Sequence, residues 1–342
     1  MVAVLNNNSF CLQTFCEQSK TFCVPGIIPN MTQPASGASR FLIINADDFG
    51  MTANVNAAIL EAHREGILTS ASLMVAEPGF AEAVEIAQQN PNLGVGLHVV
   101  TSFDRALLPH ADIPNITTPD GRFFTNPVKT GLRYNRSKTA QSELKREMTA
   151  QFERFAATGL EWSHADGHQH FHLHPFVWDT FLDLCNQFGV HRLRIPYEEF
   201  RAHFRAGGDG PNLNTISALF LRAQRRRCLR TLAERKTLGG KPVFLCDRVY
   251  GTMQSSHMSE AYWLRLLDRL QGQIIEIYAH PGTEYAVKLP PHQQTETVRD
   301  TELRGLLSPE VRAKITRLNL PTGRYADAEA FAQAGISQTR RE

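Results

Sequence analysis

The chain has 342 residues, 42% of them hydrophobic, with 36 basic and 34 acidic residues for a formal charge of +2. That is enough apolar mass for one large core, and so even a balance supplies no global field for nucleic acid or an acidic membrane, so nucleic acid is not an expected partner. No run approaches the roughly 18 apolar residues of a bilayer span, and the start lacks the basic and apolar regions of a signal peptide, which points to the cytoplasm.

Residues 1–39 mix Asn, Ser, Gln, Pro and Gly without periodicity and read as a disordered tail, with Met31 an alternative start. Cys11, Cys16 and Cys23 lie in it, Cys185, Cys228 and Cys246 are scattered beyond it, and without C-x-x-C spacing all read as free thiols. From residue 40 to 320, short apolar runs alternate with helical ones, the pattern of βα units on a parallel sheet. Seven strands are predicted at 41–47, 68–75, 93–100, 161–168, 191–196, 243–249 and 273–280. Helices are predicted at 54–65, 79–90, 139–158, 174–188, 214–236, 258–270 and 309–318. In the first helix Val55, Ile59 and Ala62 recur at i, i+4 and i+7, with Asn54 at the N-cap position. The fold class is therefore α/β, a single-domain (β/α) barrel, seven-stranded or a distorted TIM-like barrel, with residues 321–342 a C-terminal tail. A doubly wound open sheet is the alternative. The connections 102–138 and 197–213 exceed the usual ~2–6 residues of βα loops and would wall a pocket.

Polar residues collect at the C-terminal ends of these strands: Asn45, Asp47 and Asp48, then His98, His168, Arg194 and His280. In a parallel barrel those ends share the face on which active sites are built. Asp47 and Asp48 follow an apolar run directly, and alternation along a strand would aim them at different targets, although an Asp-Asp turn would leave the same trace. His164, Asp166, His168, His170, His172 and His174 share one parity, and if that strand stayed extended they would line one face. So many imidazoles are poor packing material, and a metal explains them economically, at an open catalytic site or in a histidine-rich store. Arg194 is placed to orient Asp47 or bind a sugar oxygen, and Asn45 and His170 are further candidate substrate contacts.

The motifs I-N-A-D-D-F-G at 44–50, G-I-L-T-S-A-S-L-M at 66–74, G-x-G-L-H at 94–98, H-x-D-x-H-x-H-x-H at 164–172 and E-I-Y-A-H-P-G at 276–282 together resemble the YdjC-like family of carbohydrate deacetylases. The resemblance implies a metal held by Asp48, His98 and His168, with Asp47 the general base and His280 the general acid. It implies one divalent ion, Mg2+ or Zn2+, and an N-acetylated sugar or glycolipid as substrate. The stretch V-N-A-A-I-L-E-A-H-R-E-G at 55–66 is similar to the branch encoded with hopanoid biosynthesis, which implies an N-acetylglucosaminyl hopanoid lipid. Asp166 stands where that branch usually has Asn and agrees with the chitooligosaccharide type. A catalytically silent sugar- or lipid-binding barrel and a metal-dependent phosphoesterase or glycosidase are the competing classes. The 214–236 helix puts Ile216, Leu219, Phe220 and Ala223 beside Arg222, Arg225, Arg226, Arg227 and Arg230. It reads either as a helix packed on the barrel with a solvated basic side or as a peripheral contact to the inner membrane. A second copy of the chain, forming a homodimer, completes the expected partners.

Overall fold

The computed structural model describes residues 38–283 and 296–339, so the tail expected at 1–39 falls outside the described residues except for 38 and 39. Its strands are β1 (Phe41–Phe49), β2 (Ser70–Leu73), β3 (Gly94–Val99), β4 (Ala165–Gly167), β5 (Arg192–Leu193), β6 (Thr237–Leu238), β7 (Lys241–Pro242), β8 (Phe244–Leu245), β9 (Arg248–Tyr250) and β10 (Ile274–Ala279). β6 and β7 pair as a separate hairpin, and the other eight form one parallel sheet in the order β8-β5-β4-β3-β2-β1-β10-β9.

The helices are α1 (Ala53–Arg64), α2 (Phe80–Gln89), α3 (Pro127–Arg136), α4 (Lys138–Ala156), α5 (Pro175–Gln187), α6 (Phe200–Arg205), α7 (Leu213–Arg235), α8 (Glu260–Leu267), α9 (Glu296–Leu307), α10 (Pro309–Arg317) and α11 (Tyr325–Thr339). All seven predicted helices are present. α1 buries Val55, Ile59 and Ala62 as its periodicity requires, but its N-cap is Thr52, which accepts from Val55 N at 3.3 Å, and not Asn54. Residues 102–138, expected as one long loop, contain α3, and α6 follows the start of 197–213.

The sixth predicted strand, 243–249, is two. β8 pairs with β5 at one edge of the sheet and β9 with β10 at the other, and only Cys246 and Asp247 separate them. The Asp247 carboxylate causes the break by accepting from Gln273 N (2.8 Å) and Ile274 N (2.9 Å), which ties the chain to the start of β10. Because the two edges belong to one short segment, the sheet curls back on itself. The result is an eight-stranded, TIM-like half-barrel and not a closed seven-stranded barrel, since no ladder joins β8 to β9 among the described residues.

β1 lies between β2 and β10 and is buried along its whole length, as the apolar run Phe41–Ile44 demands of a parallel strand covered on both faces. Leu42 and Ile44 join the main core with α1 and α2, whereas Phe41 and Ile43 pack in a second cluster with Tyr278, Tyr325 and Ala328. Residues 321–342, set apart as a tail by the sequence, thus hold α11. Its Tyr325 donates to the buried Glu276 and stacks on His164 at 4.3 Å. Gly96 allows this packing, because a Cβ there would stand 2.5 Å from the His164 ring.

Candidate metal centre and active site

Two consecutive carboxylates close β1, and a bulge aims them apart. The pairing of β1 with β2 shifts register between Ala46 and Phe49, and Asp48 takes a φ of 67°. Asp is one of the few side chains that tolerate this left-handed conformation, and bulges commonly re-aim a side chain beside a site. The divergence expected from simple alternation is therefore produced by a local backbone reversal. Gly50 follows at φ 86°, where a Cβ would meet Met74 O at 2.8 Å.

Asp48 faces two imidazoles. Its Oδ1 lies 3.7 Å from His98 Nε2 and 3.2 Å from His168 Nδ1, and one donor atom from each of the three residues falls within 4.8 Å of the others. Ligands at zinc-like bond lengths on a tetrahedron stand about 3.3 Å apart, so one carboxylate oxygen and two imidazole nitrogens fit a divalent ion after small adjustment. The other nitrogen of each ring is engaged: His98 Nδ1 lies 2.6 Å from Asp166 Oδ1, and His168 Nε2 lies 2.9 Å from Asp104 Oδ2. Such carboxylate partners fix ring orientation and tautomer at metal sites. Arg299 Nη2 donates to the remaining Asp48 oxygen at 2.6 Å. Burial alone would raise the Asp48 carboxyl, but Arg299, His168 and His280 hold it well below its usual range. Burial would depress His168, yet Asp104 and Asp48 push it up to about 10, and a cation held by this ring would have to displace its proton.

Asp47 turns the other way. Arg194, fully enclosed, donates from Nη1 to Asp47 Oδ2 (2.9 Å) and from Nε to Glu276 Oε1 (2.8 Å), and its Nη1 pairs with Asp166 Oδ2 at 2.6 Å. Asn45 Nδ2 donates to Asp47 Oδ1 and to Ser72 Oγ, both at 2.9 Å. Arg194 and Asn45, both considered as sugar contacts, are wholly buried here and bonded to Asp47. Asp47, His98 and Asp166 also bring donor atoms within 4.8 Å of one another, but Arg194 already neutralises both carboxylates. A guanidinium at 2.6–2.9 Å competes with a cation there, so the Asp48 set is the better ion site.

His280 directly follows β10, with Nε2 4.0 Å from Asp47 Oδ2 and Nδ1 3.6 Å from Glu302 Oε2. Burial would lower this imidazole, but Glu302, with Asp48 and Asp47, raises it above its ordinary value. It is poised to hold a proton.

The histidine run does not stay extended. β4 ends at Gly167, and a 3₁₀ turn follows over His168–Leu173 with Gln169 and His170 at φ 53° and 52°, so the six same-parity side chains do not share a face. His168 reaches Asp48, His170 Nε2 meets Tyr278 Oη at 2.8 Å, and His172 Nε2 donates to Arg194 O at 3.0 Å. His164 meets Ser72 Oγ at 3.1 Å, and His174 stacks on Phe171. Burial pushes His164 down to about 3 and His172 to about 4, so both rings are neutral, and their contacts with Ser72 Oγ and Arg194 O tie them into the packing around Arg194.

Sequence reasoning missed Asp104, Arg299, Glu302, Ser72, Glu276 and Tyr278. The last three lie inside motifs already singled out and could have been found there. Asp104 sits in the long connection after β3, pinned by Glu77 and Glu147, whose carboxylates accept from the backbone of Arg105, Leu107 and Leu108. Arg299 and Glu302 occupy one face of α9, three residues apart.

The profile of a family described as YdjC-like protein matches residues 41–317, from β1 through α10. A carbohydrate deacetylase of Brevibacillus brevis (strain 47) is 42% identical over 156 residues, 46% of this chain and 59% of that protein. One of Geobacillus stearothermophilus is 38% identical over 163 residues, 47% of this chain and 60% of its own length. The chain thus spans about three-fifths of the length of these curated relatives. The crystal structure of a candidate cellobiose-phosphate cleavage protein from Enterococcus faecalis V583 matches the fold with a TM-score of 0.65 at 23% identity, over 84% of this chain and 98% of that one. Since the family match runs through every strand that carries the site, the chain belongs to the YdjC-like family.

Proposed function

We propose that the protein hydrolyses the acetyl group from an N-acetylated sugar, with one divalent ion, Mg2+ or Zn2+, held by Asp48, His98 and His168. The observation that carries this reading is the separation of Asp47 from Asp48: one carboxylate oxygen faces two imidazoles, while its neighbour is held beside an imidazole biased towards its protonated form. The names of the Brevibacillus and Geobacillus relatives support the reaction class.

When bound, the ion polarises the acetyl carbonyl and lowers the pKa of water. Asp47, oriented by Arg194 and Asn45, accepts the proton of the attacking water. His280, kept protonated by Glu302, gives its proton to the amine nitrogen as the C–N bond breaks. His170, whose Nδ1 has no partner among the described residues while Tyr278 holds Nε2, is the imidazole offered to the sugar. An N-acetylglucosaminyl lipid of the hopanoid type and a chitooligosaccharide share this chemistry and differ in the acceptor.

Acetate release from free, oligomeric and lipid-linked N-acetylglucosamine, before and after chelation and metal return, tests the proposal. Acetate should appear only with metal. Phosphate or reducing ends from phosphate esters or glycosides, without acetate from any sugar, would contradict it.

A further inference from the structure

α7 is apolar on both sides, and only one side is used. Thr215, Ala218, Leu221, Cys228 and Leu232 face the protein. Leu213, Ile216, Leu219 and Phe220 are left in solvent, 58–80% exposed. At 3.6 residues per turn these four fall, with Ala223, Arg226 and Arg230, inside an arc of about 140°. The face the sequence singled out is thus the outward one, continued by two exposed arginines.

The other arginines divide. Arg227 donates to Leu173 O and Pro175 O, and Arg225 lies over the Tyr197 ring at 4.5 Å, so both serve internal contacts. Arg201, Arg205 and Arg222 are exposed, as is Phe204 on α6. Between residues 200 and 236 stand nine Lys and Arg against two acids, Asp209 and Glu234, in a chain whose whole excess is +2.

We propose that the outward stripe of α7 docks on a bilayer bearing anionic headgroups, with Leu213, Ile216, Leu219 and Phe220 at the acyl boundary and Arg226 and Arg230 at the phosphates. The charge selects this occupant: a second copy would bring the same basic helix against itself, whereas an anionic interface receives apolar and cationic groups from a single face. α7 borders the catalytic end of the barrel, since Ala218 and Leu221 line a small cleft with Glu198 and Thr252, and Thr252 accepts from Tyr278 Oη at 3.1 Å. Docking therefore brings the site near the membrane surface. The inference does not depend on the reaction catalysed.

The test is co-sedimentation of the full chain with vesicles of phosphatidylglycerol and phosphatidylcholine, against phosphatidylcholine alone. Binding should need the anionic lipid and fall with salt. R226Q/R230Q should weaken partitioning about thirtyfold, from roughly 1 kcal/mol per basic residue at such a surface. I216S/F220S should weaken it too, while both variants keep wild-type circular dichroism and metal content. No sedimentation at low salt, or binding that both variants leave unchanged, would overturn the proposal. So would a dimer in solution that I216S/F220S dissociates in a protein that ignores vesicles.

Discussion

Asp47 and Asp48 are neighbours in the chain and opposites in environment. Asp47 carries its counter-cation within the fold, because Arg194 is buried with it and shared with Asp166 and Glu276. Asp48 presents Oδ1 to two imidazoles whose far nitrogens are occupied by carboxylates, and Arg299 takes only its other oxygen. A carboxylate neutralised by a fixed guanidinium keeps its position and needs no ion. One that faces lone pairs invites an ion.

Arg194→Met is expected to have the largest effect, since it leaves Asp47, Asp166 and Glu276 buried without their cation, at about 3–5 kcal/mol. Chemical denaturation should show it. The loss should shrink as pH falls: burial raises the Asp166 and Glu276 carboxyls and Arg194 lowers them, so without Arg194 both rise, and a raised group contributes most below its unfolded value.

On the Asp48 side, His98→Ala and His168→Ala should each lower metal affinity by more than the roughly 10–100-fold typical of losing an outer partner. His172→Ala should keep the metal and cost about 1–3 kcal/mol for the unpaired Arg194 carbonyl. Equal metal loss in all three, read by elemental analysis, would mean that the histidines bind metal collectively.

Glu302→Gln should have the smallest effect, a shift of the pH profile. The raised His280 is fully protonated below an ordinary imidazole value and loses its proton only as pH climbs above it. The alkaline limb of kcat/KM should therefore move to lower pH in the variant. An unmoved limb would separate Glu302 from the acid.

The strand-borne half of the candidate site could be placed from the sequence, because Phe41–Ile44 and the other apolar runs mark where strands end and polar residues at such ends share one face. The left-handed backbone at Asp48, Gln169 and His170 was not, since alternation assumes an extended chain. The split of β8 from β9 was hidden too, because Asp247 acts on Gln273 and Ile274, far along the sequence. Arg299 reaches Asp48 across 251 positions from a helix with no predicted signal, and only the folded barrel makes them neighbours.

The most direct test measures bound metal and acetate release together in Asp47→Asn and Asp48→Asn. Loss of turnover with near-normal metal in the first, and loss of both in the second, is the expected result. Metal lost from Asp47→Asn and retained by Asp48→Asn would reverse the two roles and contradict the account.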